Sequence, residues 1–164
     1  MIDIKTRVEV PVAFRATASQ EKPEMQVAGN AQPPLVLVVE DHPSIRNVLS
    51  CVLNLQGFQT ICTTNGQEAL NWLESAHHTG KYPAVILLDL VMPVMNGEAF
   101  LEQMRSYWQA PMPIPPVILF TVDQGDHANL ACAEVLSKPF HIKDLLEKLE
   151  RLLKGVQTTR SCQV

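Results

Sequence analysis

The sequence predicts an α/β domain, a doubly wound five-stranded parallel sheet with helices packed on both faces. Two observations carry that prediction. Short β-branched runs alternate five times with apolar stripes at helical spacing, and right-handed crossovers then distribute the helices over both faces. The polar residues able to do chemistry fall just after the strand runs, where open parallel sheets bind their ligands.

Residues 1–34 precede the pattern. They hold Pro11, Pro23, Pro33 and Pro34 and a polar stretch from Thr17 to Glu24 without a sustained period, and read as a flexible extension. Within them Val8 to Phe14 could add a short strand, and Met25 is an alternative start. The domain proper is expected over residues 35–154, with a short disordered tail over 155–164.

Leu35 to Val39 is a continuous apolar run, the pattern of a strand buried on both faces. Ile45, Val48, Leu49, Val52 and Leu53 follow at helical spacing, behind Pro43 at a helix-start position and ahead of Gly57, where the helix ends. Phe58 to Thr63 is the second strand. Asn65 with Glu68 resembles a capping box, opening a helix with Ala69, Leu70, Leu73 and Ala76 inward. Ala84 to Leu88 is a third buried strand, and Gly97 opens a helix with Phe100, Leu101 and Met104 on its inner face.

A loop with Pro111, Pro113, Pro115 and Pro116 leads into a strand from Val117 to Phe120. A short, weak helical stretch is expected from Gln124 to Ala131, then a strand from Glu134 to Leu136. The final helix carries Ile142, Leu145, Leu146, Leu149, Leu152 and Leu153 on one stripe and is expected to stop at Gly155.

Composition narrows the function. Hydrophobic residues make up 46% of the 164 and charged residues 18%, enough apolar material for one core. A net charge of -4 gives no broad footprint for nucleic acid, so direct binding to DNA or RNA is not expected. The longest apolar runs are about five residues against the roughly 20 needed to cross a bilayer, so no membrane insertion is expected. Met1 to Phe14 intersperses Asp3, Lys5, Arg7 and Glu9 and forms no signal-peptide core. Cys51, Cys62, Cys132 and Cys162 are widely spaced, which points to free thiols and a cytoplasmic protein.

The strand ends present Glu40 and Asp41 after the first strand, Asp89 after the third, Thr121 after the fourth and Lys138 after the fifth. Taken singly each is bland: an Asp after a strand is usually a cap or turn residue. Taken together they form a constellation. Three converging carboxylates repel one another unless a cation neutralises them, and a hard divalent ion such as Mg²⁺ fits oxygen ligands of this kind. An aspartate can attack phosphorus to form an acyl phosphate. A loose phosphoryl-transfer transition state then asks mainly for positioning and charge stabilisation. A threonine hydroxyl and a lysine ammonium supply suitable donors to the phosphoryl oxygens.

Val38-Val39-Glu40-Asp41, the segment Leu88-Asp89-Leu90-Val91-Met92-Pro93-Val94-Met95-Asn96-Gly97, the pair Phe120-Thr121 and the run Lys138-Pro139-Phe140 together resemble the receiver domains of two-component response regulators. The resemblance spans about residues 35–154. It implies the flavodoxin-like fold with strand order 2-1-3-4-5. By the same resemblance Asp89 is the phosphoacceptor, and Asp41 and Asp89 hold Mg²⁺ (or Mn²⁺). Glu40 assists through a water and the Val91 backbone carbonyl completes the metal site. Thr121 becomes the switch hydroxyl and Lys138 the phosphate-sensing lysine. Pro93 and Gly97 shape the turn after Asp89, Gly97 by its backbone freedom, and Lys138-Pro139 is expected to be cis. The implied partner is a sensor histidine kinase or phosphotransfer protein. Output would pass to an unidentified protein or through a homodimer. Such a protein is not an enzyme on other substrates; it assists its own phosphorylation and dephosphorylation.

Three features depart from the family pattern. Val135 stands where the family carries an aromatic switch residue, three before the lysine. Val122 follows the switch threonine where a small residue is usual, and is expected to crowd the approach to Asp89. The span from Thr121 to Lys138 is short by about one helical turn, so the intervening helix is expected to be truncated. These departures suggest output that bypasses threonine-aromatic coupling, and an acyl phosphate protected from water by Val91 and Val122. They also favour a rival reading, a pseudo-receiver that binds proteins without phosphorylation. A haloacid-dehalogenase-type phosphatase would need a second acid at Val91. A flavin or nucleotide fold would need a Gly- or Ser/Thr-rich loop in place of Glu40-Asp41-His42-Pro43. His77-His78 is read as cationic support for a helix C-terminus, and Trp72 and Trp108 as packing residues.

Overall fold

A computed structural model describes residues 32–108, 114–122, 130 and 132–160, with the backbone alone for 155–160. Five strands, β1 (Leu35–Val39), β2 (Gln59–Thr63), β3 (Val85–Asp89), β4 (Val117–Thr121) and β5 (Glu134–Ser137), form one sheet in the order β2-β1-β3-β4-β5. Every pairing is parallel. The helices are α1 (Pro43–Leu55), α2 (Gly66–His78), α3 (Gly97–Tyr107) and α4 (Ile142–Arg160). The fold class is the one the sequence pattern predicts, and the strand order is the one the family resemblance implies.

Alternation along the strands builds two cores. Leu37 and Val39 of β1, Ile86 and Leu88 of β3, and Val117 and Leu119 of β4 meet α2 and α3 through Leu70, Leu73, Phe100 and Met104. Val36, Val38, Val85, Leu87, Ile118 and Phe120 face the other way, onto Ile45, Leu49 and Leu53 of α1 and Leu145 and Leu149 of α4. β1, β3 and β4 are therefore buried on both faces, which is why they read as unbroken apolar runs. Trp72 and Trp108 pack against the first core.

The helix ends follow from local chemistry. α1 starts with proline in its first turn and ends in a Schellman motif: Gly57, at φ +85°, donates to Asn54 O, and Phe58 N donates to Leu53 O. That second bond draws Phe58 into the cap, so β2 starts one residue later than the sequence suggests. Asn65 Oδ1 accepts the Glu68 amide at 2.9 Å, while the Glu68 carboxylate returns to the amide and hydroxyl of Thr64 rather than to Asn65. These bonds hold the Glu68 carboxyl below its ordinary pKa. His77 and His78 occupy the last turn of α2.

Three other strands differ from the predicted bounds by one residue at an end, β3 running Val85–Asp89 in place of Ala84–Leu88 and β4 and β5 reaching Thr121 and Ser137; the larger correction is the last helix. α4 does not stop at Gly155 but runs to Arg160. A glycine costs a helix only about 1 kcal/mol relative to alanine, and no proline follows to end the hydrogen-bond ladder. The expected strand at 8–14, the prolines at 111 and 113, Cys162 and the expected helix over 124–131 (Leu130 apart) lie outside the described residues. Among the described residues no helix is long and apolar enough to cross a membrane, and Cys51, Cys62 and Cys132 are free thiols.

Candidate functional site

The sheet ladder extends one residue past several strands and fixes the residues found there. Glu40 N donates to Thr63 O, Leu90 N to Phe120 O, and Lys138 N to Thr121 O. Asp89 pairs in register with Phe120, and Thr121 with Ser137. All five residues predicted for the site thus stand at the carboxyl ends of β1, β3, β4 and β5. Strand order reverses between β1 and β3, and the crevice there takes the carboxylates.

At its centre is Lys138. Its ammonium lies 2.9 Å from Asp89 Oδ2 and 3.0 Å from Glu40 Oε2, with all three side chains largely buried. Burial pushes the Glu40 carboxyl above its ordinary pKa, and the Asp89 charge adds to this while Lys138 opposes it. For Lys138 burial is the largest influence and acts downward. The hydrogen bonds and charges of Asp89 and Glu40 outweigh it, holding the ammonium above the usual lysine range. The Lys138-Pro139 bond is cis. Phe140 stacks on Phe120 at 4.9 Å between ring centroids, with the Lys138 ammonium 6.0 Å from the Phe120 ring.

Ligand oxygens of Glu40, Asp41 and Asp89 lie within 4.8 Å of one another. Both Glu40 oxygens are engaged, Oε1 with the His42 amide and Oε2 with Lys138. Asp41 is exposed, and among the described residues nothing hydrogen-bonds or ion-pairs its carboxylate. Three carboxylates against one ammonium leave a formal deficit of two positive charges. This donor set fits a divalent, oxygen-seeking ion, with Asp41 and Asp89 available as direct ligands and the engaged Glu40 suited to an indirect one. Val91 N points to Asp89 Oδ1 at a long 3.4 Å. Thr121 is buried at the end of β4, on the strand beside Asp89.

The loop from Leu90 to Asn96 has features the sequence did not disclose. Gly97 N donates to Leu90 O, closing the loop. Its φ lies outside the left-handed region, so its role is not the backbone freedom first expected. The requirement is space: a Cβ at Gly97 would stand 2.7 Å from Asp89 O and 3.0 Å from Leu90 Cα. Gly66 makes the complementary contact, donating to Met95 O where a Cβ would meet Met95 Cγ at 2.8 Å. Between them the Met95 amide donates to Pro93 O at 2.8 Å, closing a three-residue turn over Val94 at φ +69°. Val91, Val94 and Val122 are exposed around this rim. Val122 is 69% exposed, so it stands largely in solvent instead of sealing the approach to Asp89. Val135 is partly buried against the first core.

Sequence reasoning also missed Arg46. Its guanidinium donates from one nitrogen to the carbonyls of Glu40 (2.8 Å) and Asp41 (3.0 Å). The available signal was its place, a cation near the start of α1, where the helix dipole disfavours positive charge.

The sequence model of the response regulator receiver domain matches residues 36–150. The regulatory protein AtoC of Escherichia coli is 35% identical over 125 residues, covering 73% of this chain and 25% of AtoC. The chain spans between a quarter and a half of the length of the curated relatives it matches. Among solved structures, the chemotaxis response regulator CheY4 of Vibrio cholerae is similar at 29% identity and a TM-score of 0.62, covering 74% of this chain and 99% of CheY4. The response regulator TrrA of Thermotoga maritima, in complex with Mg²⁺-BeF, is similar at 28% identity and a TM-score of 0.61, covering 73% of this chain and 99% of TrrA.

Proposed function

This chain belongs to the response regulator receiver family of two-component systems, and from that premise we propose that it accepts a phosphoryl group on Asp89 and relays the change to a partner. The observation carrying the proposal is the bridge from Lys138 to both Asp89 and Glu40, beside the open carboxylate of Asp41.

A carboxylate oxygen of Asp89 forms a P–O bond as the P–N bond of a phosphohistidine breaks. The leaving imidazole nitrogen takes the electron pair and then a proton from solvent. In the reverse sense of signalling, water attacks the acyl phosphate, the P–O bond to Asp89 breaks, and inorganic phosphate leaves. Lys138 is placed to pair with a phosphoryl oxygen, and Thr121 to donate to another. Asp41, Asp89, the Val91 carbonyl and, through water, Glu40 would hold Mg²⁺ (or Mn²⁺). That ion supplies charge neutralisation for the carboxylates and the incoming phosphoryl group. The Mg²⁺-BeF complex of TrrA supports such an ion here.

The donor is a sensor histidine kinase or phosphotransfer protein in the cytoplasm, and the chain assists its own phosphorylation and dephosphorylation without acting on other substrates. The test is incubation with Mg²⁺ and acetyl phosphate, followed by intact-mass measurement. Wild type should gain one phosphoryl group and Asp89→Asn none. Failure of wild type to gain it would leave the pseudo-receiver reading, which Val122 and Val135 at the relay positions favour. Because Val135 cannot act as an aromatic switch, output is read as bypassing threonine-aromatic coupling, toward an unidentified protein or a second copy of the chain. Amide shifts on phosphorylation confined to the β4–β5 side would refute that route.

A further inference from the structure

We propose that Arg46 is a positioning residue for the divalent-ion site, holding Glu40 and Asp41 in the orientation that binding requires; this rests on the reading of the site given above. Glu40 is fixed on every side: its amide by Thr63 O, its carboxylate by the His42 amide and Lys138, its carbonyl by Arg46. Asp41 differs. Its side chain is exposed, and the contact that fixes its backbone is the 3.0 Å bond from Arg46 to its carbonyl. One guanidinium nitrogen spans two successive carbonyls and so restrains the peptide between them, which sets the direction in which the Asp41 carboxylate leaves the chain.

Arg46 carries a positive charge close to a site that would bind a cation. As a charge alone it weakens cation binding, so its removal should tighten the site. As a positioning group it strengthens binding, so its removal should loosen the site. The two roles predict opposite signs. A lysine keeps the charge but not the reach and direction of the donating guanidinium nitrogen, and so separates geometry from charge. Groups that orient metal ligands from behind typically contribute about 10- to 100-fold in affinity.

The experiment measures binding of Mg²⁺ by calorimetry and of Mn²⁺ by electron paramagnetic resonance, on the full chain, for wild type, Arg46→Lys and Arg46→Gln. Thermal unfolding is followed in parallel. Both variants should keep a cooperative transition and bind either ion about tenfold more weakly or worse. Phosphorylation by acetyl phosphate should recover toward the wild-type extent at saturating Mg²⁺, a split that general loss of structure would not give. Affinities within about twofold of wild type, or tighter binding by Arg46→Gln, would overturn the proposal. Loss of the folded transition in both variants would also overturn it, by assigning Arg46 a structural role. Absence of ion binding by wild type would instead defeat the reading of the site itself.

Discussion

The Lys138 ammonium sits 2.9 Å from Asp89 Oδ2 and simultaneously holds Glu40, so one cation balances two buried carboxylates. Removing it leaves both acids desolvated and repelling. Lys138→Met should therefore lower stability by about 3–5 kcal/mol without divalent ion. Added Mg²⁺ should restore much of that loss, because it returns positive charge to the same carboxylates. Urea unfolding with and without Mg²⁺ checks this: the gain from Mg²⁺ should be larger in Lys138→Met than in wild type.

The two glycines packed against the loop after Asp89 should not be equivalent. A methyl at Gly97 would strike the backbone of Asp89 and Leu90, which the sheet holds in place. At Gly66 the nearest atom is the flexible Met95 side chain, with Met95 O next at 3.0 Å. Gly97→Ala is expected to cost about 2–3 kcal/mol and to impair phosphorylation of Asp89, whereas Gly66→Ala should cost less. Equal losses in denaturant melts, or a larger one at Gly66, would contradict this ordering.

Val94 is a β-branched residue at φ +69° and 84% exposed. The left-handed region costs an L-residue roughly 1–2 kcal/mol, and the exposed side chain recovers little of it by packing. Val94→Gly should stabilise the domain by up to about 1 kcal/mol, the added chain entropy of glycine offsetting part of the relief. A fall in the unfolding midpoint would show that the valine is not strained there.

Much of this architecture was legible in the sequence, for identifiable reasons. Leu35–Val39, Val85–Asp89 and Val117–Thr121 are buried on both faces, and continuous burial leaves a continuous apolar run. Gly57 and the Asn65–Glu68 pair marked helix ends because caps act over a few residues of chain. Asp89 and Lys138 could be placed at strand ends by counting from such runs. Other contacts leave no local trace. Arg46 reaches carbonyls, which every residue has, and the Gly66–Met95 contact joins the start of α2 to a loop distant in sequence. Gly155 misled because one glycine is a weak stop signal on its own.

Glu134 ties the edge strand β5 to α4 through Lys148 at 2.8 Å and Arg151 at 2.7 Å. The hydrogen bond from Lys148, with the charges of Lys148 and Arg151, holds its carboxyl below the ordinary value of 4.5. A depressed folded-state pKa means that this stabilisation is present above the ordinary value and is lost as pH falls through the folded one. Glu134→Gln should cost about 1 kcal/mol at neutral pH, with the difference from wild type shrinking as the solution is acidified below the ordinary value. A difference that persists unchanged in acid would assign the loss to packing.

On the proposed function, an acyl phosphate on Asp89 should be long-lived. Val91 follows Asp89 by two residues and Val122 follows the end of the neighbouring strand β4; their side chains offer water no hydrogen-bonding group, although both are well exposed. A water attacking phosphorus must be oriented and relieved of a proton, and an apolar rim supplies neither function. Hydrolysis should therefore take minutes or longer, and Val91→Asn should accelerate it by giving water a polar anchor. The check is decay of phosphorylated protein in Mg²⁺ after removal of acetyl phosphate. Loss within seconds in wild type would mean that exposure of the rim matters more than its polarity.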